Sequence, residues 1–506
     1  MSGLMETEVL IVGAGPVGLT VAVELTRRGV PCRVVEERTA PRESTRGCTV
    51  YQRTLEVFDA MGLPVDDYAA EGARMARRVY HLFGERIGTV DMAEPCSERP
   101  YPLVVGQNVT ERYLERRLAD LGVPVQRGLS AGAVTQEKDG VTVALHHAGG
   151  RRSAMRAAWL VAAQGAAGGV RDSIGVAWRE WRRFTGLRML QIDARVRLPF
   201  ALAPDEAHLF FGAGGHVGCV PLPDGRHRVF VVRQGAEDAG RRGDPSPEEI
   251  AAAMAPLCGV AEVGLDDGRF AWRVRLQNRF ADRMRAGRVL LAGDSARVFA
   301  PVHAQGMNTG VQDAFNLGWK LAAVAGEGAP ESLLDTYEAE RRPVAEELLG
   351  RTERSLDFGV QQAPDRDELL AAIAVNRPKR TQLAIDYPDS PLTRDLLGDA
   401  PGPRAGRRAP GRWEGHWTLL VLPGPRPDRR AIGRLMTGLD PRVEVIVDVD
   451  GEASAALNAG PDAAGVHLIR PDGHIGLRGG LEHAPQVAAY LDSVLGPVPP
   501  RTRSTA

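Results

Sequence analysis

The sequence predicts an α/β protein of two or three domains, and three observations predict it. A chain of 506 residues exceeds one ordinary domain. Near its start a strand, a glycine-rich turn, a helix, a second strand and an acid follow in that order. Far downstream a second buried strand ends in Gly293-Asp294 and leads through a loop into an apolar helix.

In "TEVLIVGAGPVGLTVAVELTRRGVPCRVVEERTAP" the run over residues 8–12 reads as a buried parallel strand. Gly13, Gly15 and Gly18 supply G-x-G-x-x-G. The first permits a tight turn, the second lets a pyrophosphate approach the backbone, and the third lets the helix lie close to the strand. Val17, Val21, Ala22 and Leu25 give a helical stripe, and Gly29 suits its C-terminal end. The strand "CRVVEE" then delivers Glu36, eighteen residues after Gly18, where a ribose-binding carboxylate is expected. This is a Rossmann-like dinucleotide site. A glutamate there, rather than an arginine, argues against an adenosine 2′-phosphate. The motif alone does not separate NAD from FAD.

"RVLLAGDSAR" separates them. A carboxylate at Asp294 can accept a hydrogen bond from a ribityl hydroxyl, a group that NAD lacks. After the loop, "NTGVQDAFNLGWKLAAV" predicts a helix with Val311, Phe315, Leu317, Trp319, Leu321 and Ala322 on its buried side and Asn308 or Thr309 as N-cap. Its positive end faces the loop and would stabilise negative charge on a flavin pyrimidine ring.

Composition narrows the partners. The net charge of −1 gives no electrostatic reason to expect nucleic acid or an anionic membrane. Only Lys138, Lys320 and Lys379 are lysines among 63 basic residues, which reflects a GC-rich coding bias more than arginine chemistry. Five scattered cysteines (Cys32, Cys48, Cys96, Cys219, Cys258) show no C-x-x-C and no metal-ligand spacing, so no metal is expected. Their odd number fits a reducing cytoplasm. "MSGLMETEVLIVG" lacks a basic segment followed by an apolar stretch, and no run of 18 apolar residues occurs. A cytoplasmic protein, neither secreted nor membrane-spanning, is the expectation.

Taken together, the glycine motif, the Gly-Asp segment and "QGMNTGVQDAFNLGWKLA" resemble the class A FAD-dependent monooxygenases, the aromatic hydroxylases of the para-hydroxybenzoate hydroxylase type, especially their aromatic polyketide branch. The resemblance extends to "RTLEVFDAMGL" (53–63), "GQNVTERYLERRL" (106–118), the hairpin "PLPDGRHRV" (221–229) and "VHLIRPDGHIGLR" (466–478). It implies an FAD-binding domain assembled from 1–75, 100–178 and 270–395, and a β-sheet substrate domain from 76–99 and 179–269. A Pro/Gly/Arg-rich linker over 398–413 leads into a thioredoxin-like domain (396–506) whose lack of cysteine leaves it a packing or dimerisation role.

By the same resemblance, Gly13, Gly15, Pro16, Gly18 and Glu36 bind the ADP half of FAD, and Arg46 and Gln107 reach its linker. Local sequence allows equally that Arg46 and Gln107 are solvated loop side chains. Gln164 stands in the second FAD motif, and Asp294 holds the ribityl chain. Pro301 lies beside the ring, with Gln305, Gly306, Met307 and Asn308 supplying backbone around its pyrimidine edge. NAD(P)H is implied as a transient reductant, dioxygen as co-substrate, and a small polyketide-like molecule as substrate of a monomer or homodimer.

The pattern breaks in three places. The family's D-G-x-x-S-x-V-R reads "AAQGAAGGVR", with Gln164 for the acid and Gly168 for the serine. G-D-A-A-H becomes Gly293-Asp294-Ser295-Ala296-Arg297. P-P-x-G-G-Q-G becomes "APVHAQG", with His303 and Ala304 at two small positions beside the face where oxygen binds. His303 can crowd that face, offer a proton or hydrogen bond to substrate as a catalytic group, or turn to solvent. Three functions are compatible: hydroxylation or a related oxygenation; a non-redox FAD-binding cyclase of the Diels–Alderase or decalin-forming pericyclase type; and a carrier that shields a labile intermediate.

Overall fold

The computed structural model describes residues 5–497 except 185, 235–242, 275, 361–364, 438 and 461–463, together with the side chains at 183 and 376–378.

Five parallel strands form the centre of the first sheet, in the order Val289–Leu291, Arg152–Ala162, Met5–Val12, Cys32–Glu36 and Val125–Arg127. Val9 to Val12 are buried on both faces, as an unbroken apolar run in a covered parallel sheet must be. The crossover helix Pro16–Thr26 opens with proline at its first position, where the fixed φ suits a helix start. Gly29 is left-handed (φ 75°) and turns the chain back. Helices Gln107–Asp120 and Gln305–Gly326 both pack against Pro16–Thr26. The expected α/β nucleotide fold is present.

The second sheet has seven strands, ordered Gly264–Val274, Leu187–Arg197, His227–Gln234, Gly215–Pro221, Glu206–Gly212, Arg77–Leu82 and Glu85–Asp91. All pairs are antiparallel except Glu206–Gly212 with Arg77–Leu82. The strand Gly264–Val274 runs across the boundary expected at 269–270. Helix Pro247–Cys258, capped by the Ser246 hydroxyl, covers one face through Ile250, Met254 and Leu257. The other face is free to line a cavity.

The last sheet orders Arg394–Asp395, Ile475–Gly479, Ala464–Ile469, Trp417–Pro423 and Val443–Val447. A parallel pair joined through helix Arg429–Thr437, then the short helix Glu452–Ala456, an antiparallel hairpin and helix Ala484–Leu495, give the order β-α-β-α-β-β-α. Its core continues into the FAD-binding part through Trp319, which meets Trp417 edge-on at 5.6 Å. Among the described residues no helix is long and apolar enough to cross a membrane.

One expectation needs correction. Neither Asn308 nor Thr309 caps the downstream helix, which begins at Gln305 and is preceded by Ala304 in the left-handed region (φ 53°, ψ 32°). The Asn308 side chain is committed elsewhere. Its Oδ1 accepts from the Tyr51 N–H and the Thr54 hydroxyl, each at 2.8 Å. Its Nδ2 donates to the Thr49 and Ala304 carbonyls, each at 2.8 Å. The side expected to be buried is buried, but Gln312, Asp313, Asn316 and Lys320 opposite are buried too.

Candidate functional site

The glycines are spaced for close approach. A Cβ on Gly13 would lie 2.4 Å from the Ala163 carbonyl oxygen, and one on Gly18 would lie 1.9 Å from the Gly13 oxygen. At Gly15 nothing stands within 4 Å. The open space therefore sits over the first N–H groups of helix Pro16–Thr26, where an anion is favoured. Glu36 closes the next strand with its carboxylate held by the Ala14 N–H (2.8 Å) and by Arg38 Nε (2.7 Å). Burial acts to raise its pKa, but these bonds hold it below the usual glutamate value. It is an ionised acceptor, suited to ribose hydroxyls.

The other expected cofactor residues converge on the same crevice. Gln107 Oε1 accepts from the Gly47 N–H at 3.2 Å, and a Cβ on Gly47 would lie 3.7 Å from Met307 Sδ. Three separate elements meet there. Arg46 is exposed on the loop before Gly47. That loop is tied to the seven-stranded sheet by Arg228, which donates to the carbonyls of Arg46 (2.7 Å) and Thr45 (2.5 Å) and pairs with buried Asp193. Asp294 opens onto the crevice without a hydrogen-bond partner among the described residues. Enclosure pushes its pKa above the ordinary carboxylate value against the pull of Arg297 and Arg46. Gly306 has open space at its Cα, so the first turn of Gln305–Gly326 presents bare backbone.

This arrangement fits FAD. The turn at Gly15 admits a pyrophosphate, Glu36 and Asp294 offer acceptors to two sets of sugar hydroxyls, and a helix N-terminus meets the far end. Two of the expected side chains are bonded within the protein itself. Gln164 Oε1 accepts from the Val170 N–H (3.2 Å) and caps the short helix Gly169–Ser173. The Gln305 amide is buried against the Arg380 carbonyl (3.2 Å) and Gln382, leaving its backbone to the crevice.

The unusual loop is ordered by contacts inside the protein. Pro301 starts a short 3-10 turn, Pro301–His303. His303 does not turn to solvent: its Nε2 lies 2.8 Å from the Ser355 hydroxyl, and its carbonyl accepts from the Tyr51 hydroxyl at 3.1 Å. Burial drives its pKa well below the ordinary histidine value, and Arg380, Arg351, Arg78 and His216 add to this. These effects all favour the neutral imidazole. The kcat/KM profile is expected to carry no inflection from His303 between about pH 6 and 8. A step in that range that disappears in His303→Gln would contradict the assignment.

Ala304 holds a conformation that costs an L-residue about 1 kcal/mol. Ala304→Gly is expected to raise unfolding stability by about that amount in chemical denaturation. An unchanged or lower midpoint would mean the left-handed turn carries no strain.

Arg297, a mild departure by sequence, is fully buried and pairs with Asp313, which also accepts from Arg341 Nε at 2.7 Å. Ser295 Oγ accepts from the Gly165 N–H at 3.1 Å, joining the two altered motifs.

Beyond the loop lies a cavity of about 920 Å³. Met189, Leu209, Phe211 and Phe230 of the seven-stranded sheet form its apolar wall, and Pro301 to Ala304 form the flavin side. Helices Asp335–Val360 and Arg366–Arg380 contribute Arg351, Ser355, Leu369 and Ile373. Sequence reasoning found the loop side of this cavity but missed its sheet and helix residues. One signal existed: Arg78 and Tyr80, two apart in the strand Arg77–Leu82, must share a face.

Comparisons with known proteins agree with this geometry. The family model described as an FAD binding domain matches residues 6–352. The chain is 33% identical over 534 aligned residues to 6-methylpretetramide 4-monooxygenase of Streptomyces rimosus, covering 96% of this chain and 93% of that protein. Aklavinone-11 hydroxylase, solved as a ternary complex with FAD and aklavinone, superposes with a TM-score of 0.80 at 25% identity, covering 98% of this chain and 100% of that one. The Diels–Alderase PyrE3 of pyrroindomycin biosynthesis superposes at 0.71 with 28% identity, covering 97% and 100%.

Proposed function

We propose that this chain, which belongs to the FAD binding domain family and is a flavin-dependent monooxygenase, hydroxylates a polycyclic, polyketide-like aromatic compound in the cavity beside Pro301–Ala304. The observation that carries the reading is the position of that cavity. About 920 Å³ of space, apolar on its sheet side, abuts the loop at the flavin end of the crevice.

FAD, when bound, accepts electrons from NAD(P)H and reacts with dioxygen. The protein's own residues do the rest. Gly13, Gly15, Pro16, Gly18 and Glu36 hold the ADP half, with the pyrophosphate over the N-terminus of Pro16–Thr26. Arg46, Gln107 and Asp294 hold the linker, and the backbone of Gln305 to Asn308 lies at the pyrimidine edge. Gln164 supports that site indirectly, as the cap that shapes the Gly165–Val170 turn. Met189, Leu209, Phe211 and Phe230 exclude water from the substrate face. Neutral His303, oriented by Ser355, offers the substrate one hydrogen bond and no charge.

Our reading of the three domains keeps the division 1–75, 100–178 and 270–395, then 76–99 and 179–269, then 396–506, except that the strand Gly264–Val274 goes whole to the second and Arg394–Asp395 to the third. We place the protein in the cytoplasm, a reading supported by five cysteines that are all free thiols, and read it as a monomer or homodimer. The non-redox cyclase has no observation of its own: PyrE3 superposes at a lower TM-score than the hydroxylase, 0.71 against 0.80, with identities of 28% and 25%.

The test is NAD(P)H oxidation by the purified holoenzyme in air with a panel of tricyclic and tetracyclic aromatic polyketides. Oxidation that accelerates with one of them, coupled to a hydroxylated product, supports the reading. A product of unchanged mass, formed equally without NAD(P)H and air, overturns it.

A further inference from the structure

We propose that Arg78, Arg351 and Arg380, with the Tyr80 hydroxyl, form an oxyanion subsite at the His303 end of the cavity, and that the substrate carries a carboxylate or an ionised phenol or enol there. The inference rests on the cavity being the substrate site.

Three elements deliver these arginines to one place. Arg78 and Tyr80 share a face of the strand Arg77–Leu82, Arg351 comes from helix Asp335–Val360, and Arg380 ends helix Arg366–Arg380. All three line the cavity and all three act on His303. Arg380 Nη1 donates to the Tyr80 hydroxyl at 2.6 Å, and Arg78 meets the hydroxyls of Tyr51 and Tyr80. These partners are phenols rather than carboxylates. Burial works to raise the Tyr80 pKa, but Arg380 and Arg78 draw it below its ordinary value.

Among the described residues no carboxylate is hydrogen-bonded to any of these three guanidinium groups. The Nε atoms of Arg78, Arg351 and Arg380 are each buried without a hydrogen-bond partner among the described residues. The acid that acts on Arg351, Glu347, is bonded to Lys379 at 2.6 Å. Asp357 on the cavity wall is bonded to Arg182 at 2.8 Å, and Glu368 is exposed at the rim. Enclosed guanidinium groups facing one another without an anion are costly, and a ligand oxyanion would relieve that cost. Guanidinium forks match the planar geometry of a carboxylate or an enolate.

The test measures how small aromatic probes perturb the flavin absorbance of the holoenzyme. One pair is 2-naphthoate against 2-naphthamide. The other is 4-nitrophenolate against 4-nitroanisole, in mildly alkaline buffer where the nitrophenol is ionised. At least one anion is expected to bind about tenfold or more tightly than its neutral partner, and which one does so identifies carboxylate or phenolate as the preferred oxyanion. Arg351→Gln and Arg380→Gln should each weaken the anion about tenfold and leave the neutral probe unchanged, which also shows the cavity intact. Arg380→Lys should recover part of the loss. Equal affinity for anion and neutral partner overturns the subsite while leaving the cavity as the substrate site. Failure of every probe, charged or neutral, to perturb the flavin overturns the placement of the substrate itself.

Discussion

Replacing Glu340 by alanine is expected to cost about 3–5 kcal/mol of unfolding free energy at neutral pH. Glu340 is fully buried and accepts from Arg470 (2.7 and 2.9 Å), Lys320 (2.7 Å), Asn316 (2.7 Å) and Ser390 (2.6 Å). Removing it strands the buried Lys320 ammonium and leaves Arg470 with Asp472 alone. The same cluster joins the flavin-side helix Gln305–Gly326 to the C-terminal sheet through Arg470 and Asp472, whose carboxylate also accepts from Trp319 Nε1 at 3.2 Å. Loss of the acid should therefore loosen FAD as well as lower the denaturation midpoint.

The pH dependence has a defined sign. Burial works to raise the Glu340 pKa, but Arg470 and Lys320 hold it below its ordinary value. Its stabilisation is present above the unfolded value, near 4.5, and is lost as pH falls through the folded value. His216, His227 and His467 act earlier. Burial lowers each of them from 6.5 to about 4, so the unfolded chain takes up their protons first and stability declines from about pH 6.5 downwards. Urea midpoints measured from neutral to acid pH should show the histidine decline in wild type and Glu340→Ala alike. Only below pH 4.5 should the two curves converge. A constant gap throughout would remove the charge cluster as the cause.

Gly15→Val separates cofactor binding from folding. Gly15 is extended (φ −79°, ψ 179°), and a Cβ there meets no protein atom within 4 Å. The apo fold should tolerate the change with a denaturation midpoint near that of wild type. The added carbons occupy the space proposed for the pyrophosphate, so FAD affinity should fall by about 100-fold or more, read by flavin fluorescence titration. Unchanged affinity would show that the dinucleotide does not cross this turn. Gly18→Ala is the contrasting control, because its Cβ collides with the Gly13 carbonyl and disturbs the fold itself.

The nucleotide strand, the glycine turn, Glu36 and the Gly293-Asp294 strand were legible because each is a local pattern with a steric or hydrogen-bonding reason. The start of the downstream helix was not. Asn308 is a good capping residue by type, yet Tyr51 and Thr54 occupy its side chain, and a distant segment therefore decides where the helix begins. The stripe of apolar residues on that helix was correct, but stripe logic leaves the opposite side to solvent. Asp313 and Lys320 are buried there because Arg297 and Arg341 neutralise the first and Glu340 the second. Likewise the inward turn of His303 depends on Ser355, and the arginine cluster on three separate elements. Pairings of that range leave no periodicity in one sequence.

The central claim is that FAD lies along the crevice from Gly13 to Asn308 and that the chain uses it to place one atom of dioxygen in an aromatic substrate. The most direct measurement is the isotopic composition of the product formed from an accepted polyketide with NAD(P)H under labelled dioxygen. Incorporation of one labelled atom, lost together with flavin in Gly15→Val, is the predicted result. A product without label, or one formed equally well by the flavin-free protein, would contradict it.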